Sequence, residues 1–244
     1  MIHPDKRQAK EQEDLLTVLG VDTSQPFCSI TVIRGGERVG EMKLHSPLPY
    51  ARYLLPSVSH LLTTLDLTVK DIDLFAVATG PGSFTGIRIG ISSIMGMAAP
   101  DGKPAAGISS LRALAWKSRR QGNLLIPLIP TARDLFYSGL YEHKKGDVRP
   151  LREDRMETIE TLASSLPVEN SIFCGAEVEK MEPILKKTFG HGTAIYRSGP
   201  YLGNAVASLG LEDLTRGCDL SLEVLAPNYI RPSDAEYKFL EKGN

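Results

Sequence analysis

One segment constrains the fold more than any other: Gly80-Pro81-Gly82-Ser83-Phe84-Thr85-Gly86-Ile87-Arg88-Ile89-Gly90. It follows a short, mostly apolar run, Ile72 to Ala78, which reads as a strand. It opens a segment of helical character from Phe84 to about Ala99, ended by Pro100-Asp101-Gly102. A strand, a glycine-rich turn and a helix in that order belong to an α/β unit. Such a turn presents backbone N–H groups at the positive end of a helix and suits a phosphate. No Lys-Ser or Lys-Thr follows the glycines, so this is not a Walker loop. A tight turn of small residues that permits close packing is the competing reading.

The helix after the turn has almost no solvated side. Ile87, Ile91, Ile94 and Ala98 form one stripe, Ile89, Met95 and Met97 lie elsewhere on the cylinder, and only Thr85, Arg88, Ser92 and Ser93 are polar. A helix that is apolar all round is buried. A sheet covers one side, so the other needs a second helix of this chain or a partner subunit. Gly86 and Gly90, four residues apart, would admit a second helix backbone. The preceding segment from Tyr50 to Asp66 supplies a candidate: Leu54, Val58, Leu61 and Leu65 recur at helical spacing, with Tyr53, Ser57, His60 and Thr64 on a more polar side.

The rest of the chain alternates between strand and helix patterns. Leu15 to Val21, Phe27 to Ile33 and Val39 to Leu44 read as three strands joined by short turns, the second turn at Gly35-Gly36. Pro104 to Ile108 reads as a strand, and Ser109 or Ser110 as the cap of a helix holding Leu111, Leu114 and Trp116. After Arg119-Arg120-Gln121-Gly122-Asn123 the order repeats. Strands are expected at Leu124 to Ile129, Phe136 to Glu142 and Val148 to Glu153, followed by a helix from Glu157 to Leu166. A strand at Ser171 to Cys174 and helices at Ala176 to Phe189 and Ala205 to Leu214 complete the pattern, before a tail carrying Pro227 and Pro232. The expected organisation is a charged tail at residues 1–14, an N-terminal α/β subdomain at 15–110 and a C-terminal one at 111–244.

Composition excludes several functions. With 28 Lys and Arg against 29 Asp and Glu, the net charge is −1, so no global basic field holds nucleic acid. The 3 cysteines, Cys28, Cys174 and Cys218, are scattered, which argues against a disulfide framework or a cysteine-built zinc site. The 5 histidines show no His-x-x-x-His or His-Glu-x-x-His spacing, so a metal-dependent hydrolase is not expected. No Gly-x-Ser-x-Gly elbow marks an acyl-transfer serine. Cys174, in Ile172-Phe173-Cys174-Gly175, reads as a buried strand residue. Residues 1–14 carry seven charges and no apolar run, and no stretch matches a membrane span. A soluble, cytoplasmic protein is expected.

Two further groups are candidates for chemistry. Asp22-Thr23-Ser24 ends the first strand and has the ligand types for a metal-bound phosphate, although such a triplet is commonly a turn with a local side-chain cap. With Gly80, Gly82 and Ser83 it makes a candidate nucleotide-binding set. A phosphotransferase would want a second Asp-Gly loop in the other half, where Thr131-Ala132-Arg133-Asp134 stands instead. Lys117, Arg119 and Arg120 form a small basic cluster, best read as a solvated helix end.

Several blocks, in order, carry a resemblance: Val21-Asp22-Thr23-Ser24; Leu54-Leu55-Pro56; Gly80 to Gly90 followed by Gly96; Gly107 to Leu111 with Ala113 and Leu114; and Pro227-Asn228-Tyr229-Ile230-Arg231 with Ala235. On these the chain resembles the TsaB (YeaZ) family of tRNA threonylcarbamoyladenosine biosynthesis proteins over residues 15 to 237. The resemblance implies the α/β fold of actin and sugar kinases (ribonuclease H-like), in two related subdomains. It also implies a subunit without catalysis, cofactor or metal of its own.

Such a subunit pairs with the TsaD transferase, which carries the metal-binding histidines, and works with the TsaE ATPase. ATP or ADP would belong to the complex, and tRNA would be met only through it. In the family, two helices of each relative bundle across the subunit contact. This places Leu54, Val58, Leu61, Leu65, Ile87, Ile91 and Ile94 at the expected interface, with a homodimer as an alternative use of the surface. Val58→Glu or Ile91→Glu would then break association.

The family's His-Ser before the Leu-Leu-Pro block is here Tyr50-Ala51. Its Asp-Ala-Arg with a later Glu is here Thr131-Ala132-Arg133 with Phe136. The rival functions are a small-molecule kinase using Asp22 and the Gly80 turn, and a metalloprotease-like relative that would bind a metal.

Overall fold

The computed structural model describes residues 16–45, 50–119, 124–131, 135–144, 146–165 and 171–230. The expected tail at 1–14, Arg120, Ala132, Arg133 and Ala235 lie outside these residues. Strands β1 (Thr17–Asp22), β2 (Cys28–Arg34) and β3 (Glu37–Leu44) come first, followed by α1 (Leu54–Thr64), β4 (Leu74–Gly80), α2 (Phe84–Ala98), β5 (Ala105–Ser109) and α3 (Ser110–Ser118). Then come β6 (Leu124–Pro130), β7 (Phe136–Ser138), β8 (Tyr141–Lys144), β9 (Asp147–Pro150), β10 (Arg155–Glu157), α4 (Ile159–Ser165), β11 (Ser171–Gly175), α5 (Glu182–Phe189), β12 (Ala194–Arg197) and α6 (Gly203–Thr215). Among the described residues no helix is long and apolar enough to cross a membrane.

The chain forms two units, each with its own sheet. In the first the strand order is β3-β2-β1-β4-β5, with β1 antiparallel to β2 and parallel to β4. Strand periodicity gives β1 and β4 two distinct faces. Leu19 and Val21 of β1 and Phe75 and Val77 of β4 point into the apolar cluster shared with α1 and α2.

The opposite face carries Gly20 and Ala76, and there α6 lies close. A Cβ on Gly20 would sit 2.6 Å from the Gly203 carbonyl oxygen and 2.7 Å from the Ala207 backbone nitrogen. A Cβ on Gly210 would sit 2.7 Å from that of Ala76. Gly203 N–H also donates to Ser29 Oγ at 2.7 Å. This interface of small residues explains a correction to the expected boundaries. Residues 201–227, and with them α6, belong to the first unit, not to a C-terminal block. Residues 80–84 group with the second unit, as do the described residues of 109–200 and residues 228–230.

The second unit's sheet runs β10-β7-β6-β11-β12, with β8 pairing β6 and β9. Its core gathers Ile126, Leu128, Phe136, Leu162, Phe173 and Leu185 among others. The expected strand from Phe136 to Glu142 is broken into β7 and β8. The reason lies at Gly139, where a Cβ would meet the Tyr141 ring at 2.4 Å and Asp154 Oδ1 at 2.7 Å. Strand β7 pairs with Leu128–Pro130 of β6, whereas β8 pairs with Leu124 and Leu125, so the chain steps along one neighbour.

Strands β10 and β12 are additions to the sequence reading. The expected helix from Ala176 starts instead as a 3₁₀ turn (Val178–Met181) and becomes α5 where Pro183 opens a new helix. The expected cap of α3 is present: Ser109 Oγ accepts from Arg112 N–H.

Cys28 and Cys174 are buried, and burial pushes both thiols up to about 12, with the Asp22 charge adding to the effect at Cys28. Cys218 is exposed. A thiol reagent at pH 8 should therefore modify Cys218 alone in the native protein and all three after denaturation, as read by peptide mass spectrometry.

Candidate functional site

The helices expected at a subunit contact do carry the predicted stripes, but the stripes face inward. Leu54, Val58, Leu61, Ile87, Ile91 and Ile94 are buried in the first unit's own core, and Leu65 packs against it. Gly40 of β3 makes room for two of them: a Cβ there would lie 2.8 Å from Leu65 Cδ1 and 3.1 Å from Leu61 Cδ1. The stripe therefore holds the helices to the sheet and is not a free contact surface.

What these helices expose is the complementary side. On α1 this side comprises Leu55, Pro56, Ser59, His60, Thr63 and Thr64; on α2 it comprises Thr85, Arg88, Ser92, Met95 and Gly96. Leu55 and Met95 stand out among these polar and small groups, at 48% and 37% exposure. The expectation that α2 lacks a solvated side is corrected accordingly.

Gly90 has a different job from the one its spacing suggested. A Cβ at Gly90 would meet Thr23 Oγ1 at 2.5 Å and Val77 at 3.1 Å, so the glycine admits the end of β1, not a second helix. The Thr23 hydroxyl donates to the Gly86 carbonyl at 2.7 Å, tying the same turn of α2 to that strand end. Gly96 is unlike Gly90. Nothing lies within 4 Å of a Cβ placed there, so Gly96→Ala should stabilise the isolated chain by up to about 1 kcal/mol through helix propensity. A urea titration followed by circular dichroism measures this.

The candidate phosphate set is spread over both units. Asp22, Thr23 and Ser24 are fully buried in the first, and Asp22 Oδ1 accepts from Ser24 N–H at 2.9 Å and from the Ser24 hydroxyl at 2.7 Å. The triplet thus makes a side-chain-capped turn, one of the two readings the sequence allowed. Gly80, Gly82 and Ser83 fall in the second unit, where Gly80 takes a φ of 107° that suits glycine. In that unit the Phe84 ring stacks on Tyr229 of the closing block, 4.6 Å between centroids. Among the described residues no three His, Cys, Asp or Glu side chains are grouped to hold a metal ion.

The departures from the family pattern have structural explanations. The Tyr50 hydroxyl donates to the Pro26 carbonyl, and its ring packs on the first core. Thr131 closes a turn, its N–H and hydroxyl both donating to the Leu135 carbonyl, at 2.9 and 2.7 Å. Phe136 fills the second core, where a carboxylate would be buried. The basic cluster is also engaged: Lys117 Nζ donates to the Gly199 carbonyl at 2.9 Å, and the Arg119 guanidinium lies 3.4 Å from the Trp116 ring centroid.

The family profile described as TsaD, tRNA N6-adenosine threonylcarbamoyltransferase, matches residues 49–239. The chain belongs to this family. Within it, the chain is similar to proteins named TsaB and YeaZ. The tRNA threonylcarbamoyladenosine biosynthesis protein TsaB of Bacillus subtilis is 27% identical over 243 residues, covering 93% of this chain and 99% of the relative. The TsaB of Escherichia coli is 28% identical over 134 residues, covering 54% and 58%. Among solved structures, a protein from Pseudomonas aeruginosa described as similar to peptidase YEAZ superposes with a TM-score of 0.76 at 25% identity, over 89% of this chain and all of that one. The fold is therefore the α/β fold of this YeaZ-like structure, in line with the resemblance drawn from the sequence blocks.

Proposed function

We propose that the chain serves threonylcarbamoyladenosine biosynthesis on tRNA as a partner subunit, ordering a TsaD transferase in an assembly that also includes the TsaE ATPase. What carries this reading is the near full-length likeness to a relative named as a TsaB biosynthesis protein. The exposed sides of α1 and α2 are the surface for the contact. Leu55 and Met95 are its apolar anchors, and Ser59, Ser92 and Gly96 permit close approach of a facing helix. The chain itself performs no chemistry in this scheme, any nucleotide belongs to the assembly, and tRNA is met through the partner. A cytoplasmic setting follows from that role.

Burying two apolar side chains and the small residues around them favours pairing by the hydrophobic effect. A carboxylate at either position would be desolvated without a partner and would oppose it. The double variant Leu55→Glu/Met95→Glu should keep the thermal midpoint of the isolated chain while reducing its affinity for TsaD by at least about a hundredfold. Titration of TsaD into the fluorescently labelled chain reads the affinity. Unchanged binding by the folded variant removes these helix faces from the contact.

The kinase alternative places phosphate at Asp22 and the Gly80 turn. It predicts ATP turnover by the pure chain that Asp22→Ala abolishes. The Thr131 turn, without the Asp-Gly of a second phosphate loop, favours the partner reading.

A further inference from the structure

An open cleft of about 740 Å³ lies wholly within the second unit, inside the range of ~300–1,000 Å³ typical of small-molecule sites. Its floor is a polar brace assembled from three distant segments: Ser109 at the N-cap of α3, Tyr141 at the start of β8 and Asp154 in the turn before β10. The Ser109 hydroxyl donates to Asp154 Oδ2 at 2.6 Å, and the Tyr141 hydroxyl donates to Asp154 Oδ1 at 2.7 Å. Gly139 makes room for the brace, since a Cβ there would collide with both the Tyr141 ring and Asp154.

The charges around the cleft argue against an ionic ligand. Arg152 is turned inward: its guanidinium donates to Ser138 Oγ at 2.8 Å and to Ser165 Oγ at 3.1 Å, and it pairs with Glu157, a carboxylate only 4% exposed. Arg112 is likewise engaged within the protein, its Nε on the Val148 carbonyl at 3.4 Å. An anion would also meet the carboxylates of Glu153 and Asp154. A cation on the floor has the opposite difficulty. The Arg112 charge opposes the rise that burial causes in the Tyr141 phenol, and the Arg152 charge opposes the rise in the Asp154 carboxyl, so both positive fields reach the brace.

Neutral hydrogen bonding is what the lining offers. Glu153 and Asn228 line the cleft, both are exposed, and among the described residues neither side chain has a hydrogen-bond or ion-pair partner. Glu153 accepts, the Asn228 amide donates and accepts, and the Asp154 oxygens keep lone pairs beyond the two hydroxyls they hold. Leu151, 51% exposed, and Ile230 add an apolar wall. Hydroxyls suit this mixture because each one donates and accepts, and a ring that carries them presents a C–H face to the wall.

We propose that this cleft binds a neutral cyclic polyol of the monosaccharide class, its hydroxyls on Glu153, Asn228 and Asp154 and its C–H face against Leu151 and Ile230. The site shares no residue with the helix faces assigned to pairing.

Saturation-transfer difference NMR on the full chain tests this with D-glucose, D-ribose and, as an acyclic polyol, glycerol. At least one of the two sugars should bind with a dissociation constant on the order of 1–10 mM, and glycerol at least about tenfold more weakly because it has no ring face. The double variant Glu153→Ala/Asn228→Ala removes polar groups at exposed positions. It should weaken the sugar by at least about tenfold while the thermal midpoint of the chain stays unchanged. No transfer to either sugar, the result expected if the Ser109-Tyr141-Asp154 brace is purely structural, overturns the proposal. Glycerol binding as tightly as the sugars overturns it as well, as does unchanged sugar affinity in the folded double variant. None of these outcomes bears on pairing with TsaD, which is measured separately.

Discussion

Val58→Glu or Ile91→Glu is expected to destabilise the isolated chain severely. Both side chains lie within the first unit's core, at 1% and 5% exposure, between the sheet and the two helices that cover it. A carboxylate at either place loses its hydration without gaining a counter-charge, and the packing of a branched aliphatic side chain is lost with it. The expected cost is about 3–5 kcal/mol, against a total of about 5–15 kcal/mol for a domain. Urea denaturation of the chain alone, without TsaD, should show a midpoint lowered by most of its value or no folded baseline. If either variant were as stable as the wild type and failed only in pairing, the inward orientation of these stripes would be wrong.

Gly20→Val should be comparably severe, for a reason invisible in hydrophobic patterning. Gly20 lies on the face of β1 covered by α6, where even the first carbon of a side chain would sit 2.6 Å from the Gly203 carbonyl oxygen. That atom belongs to helix backbone, so relief requires moving α6 off the sheet, not turning a side chain. Displacing it would also break the bond from Gly203 N–H to Ser29 Oγ. A loss of at least about 3 kcal/mol is expected, read by the same denaturation, and Gly20→Ala should already show a substantial part of it. A neutral effect would mean that α6 does not press on β1 as described.

These two positions show where the sequence is legible and where it is not. Local periodicity placed β1, β2, β3 and α2 to within two residues, whereas α1 starts four residues later than the expected 50–66 span, after a separate 3₁₀ turn at Tyr50–Arg52. The same periodicity identified the buried stripe but not its cover. A helix stripe reads alike whether sheet or subunit lies against it, and the contact was accordingly expected on Leu54, Val58 and Ile91 when the exposed residues are Leu55 and Met95. The place of α6 depends on Gly20, Ala76, Gly203 and Gly210 meeting across the fold, and small residues leave no periodic mark.

In the second unit, short strands set the limit. A run of three residues such as Arg155–Glu157 is too brief to alternate visibly, and the break between β7 and β8 comes from the Tyr141 ring lying against Gly139. The Asp154 cluster joins residues from 109 to 154 and has no local spacing that would announce it. The family blocks, by contrast, were legible as such, and the profile match over residues 49–239 covers most of them.

The proposed pairing joins the outward sides of α1 and α2 to the TsaD of the same organism. Light scattering after size exclusion, on the chain alone, on TsaD alone and on their mixture, tests it most directly. Pairing through these faces should give a new peak at the mass of the heterodimer for the wild type and its loss for folded Leu55→Glu/Met95→Glu. Wild-type proteins eluting unchanged in the mixture, or a complex formed equally well by the double variant, would contradict it.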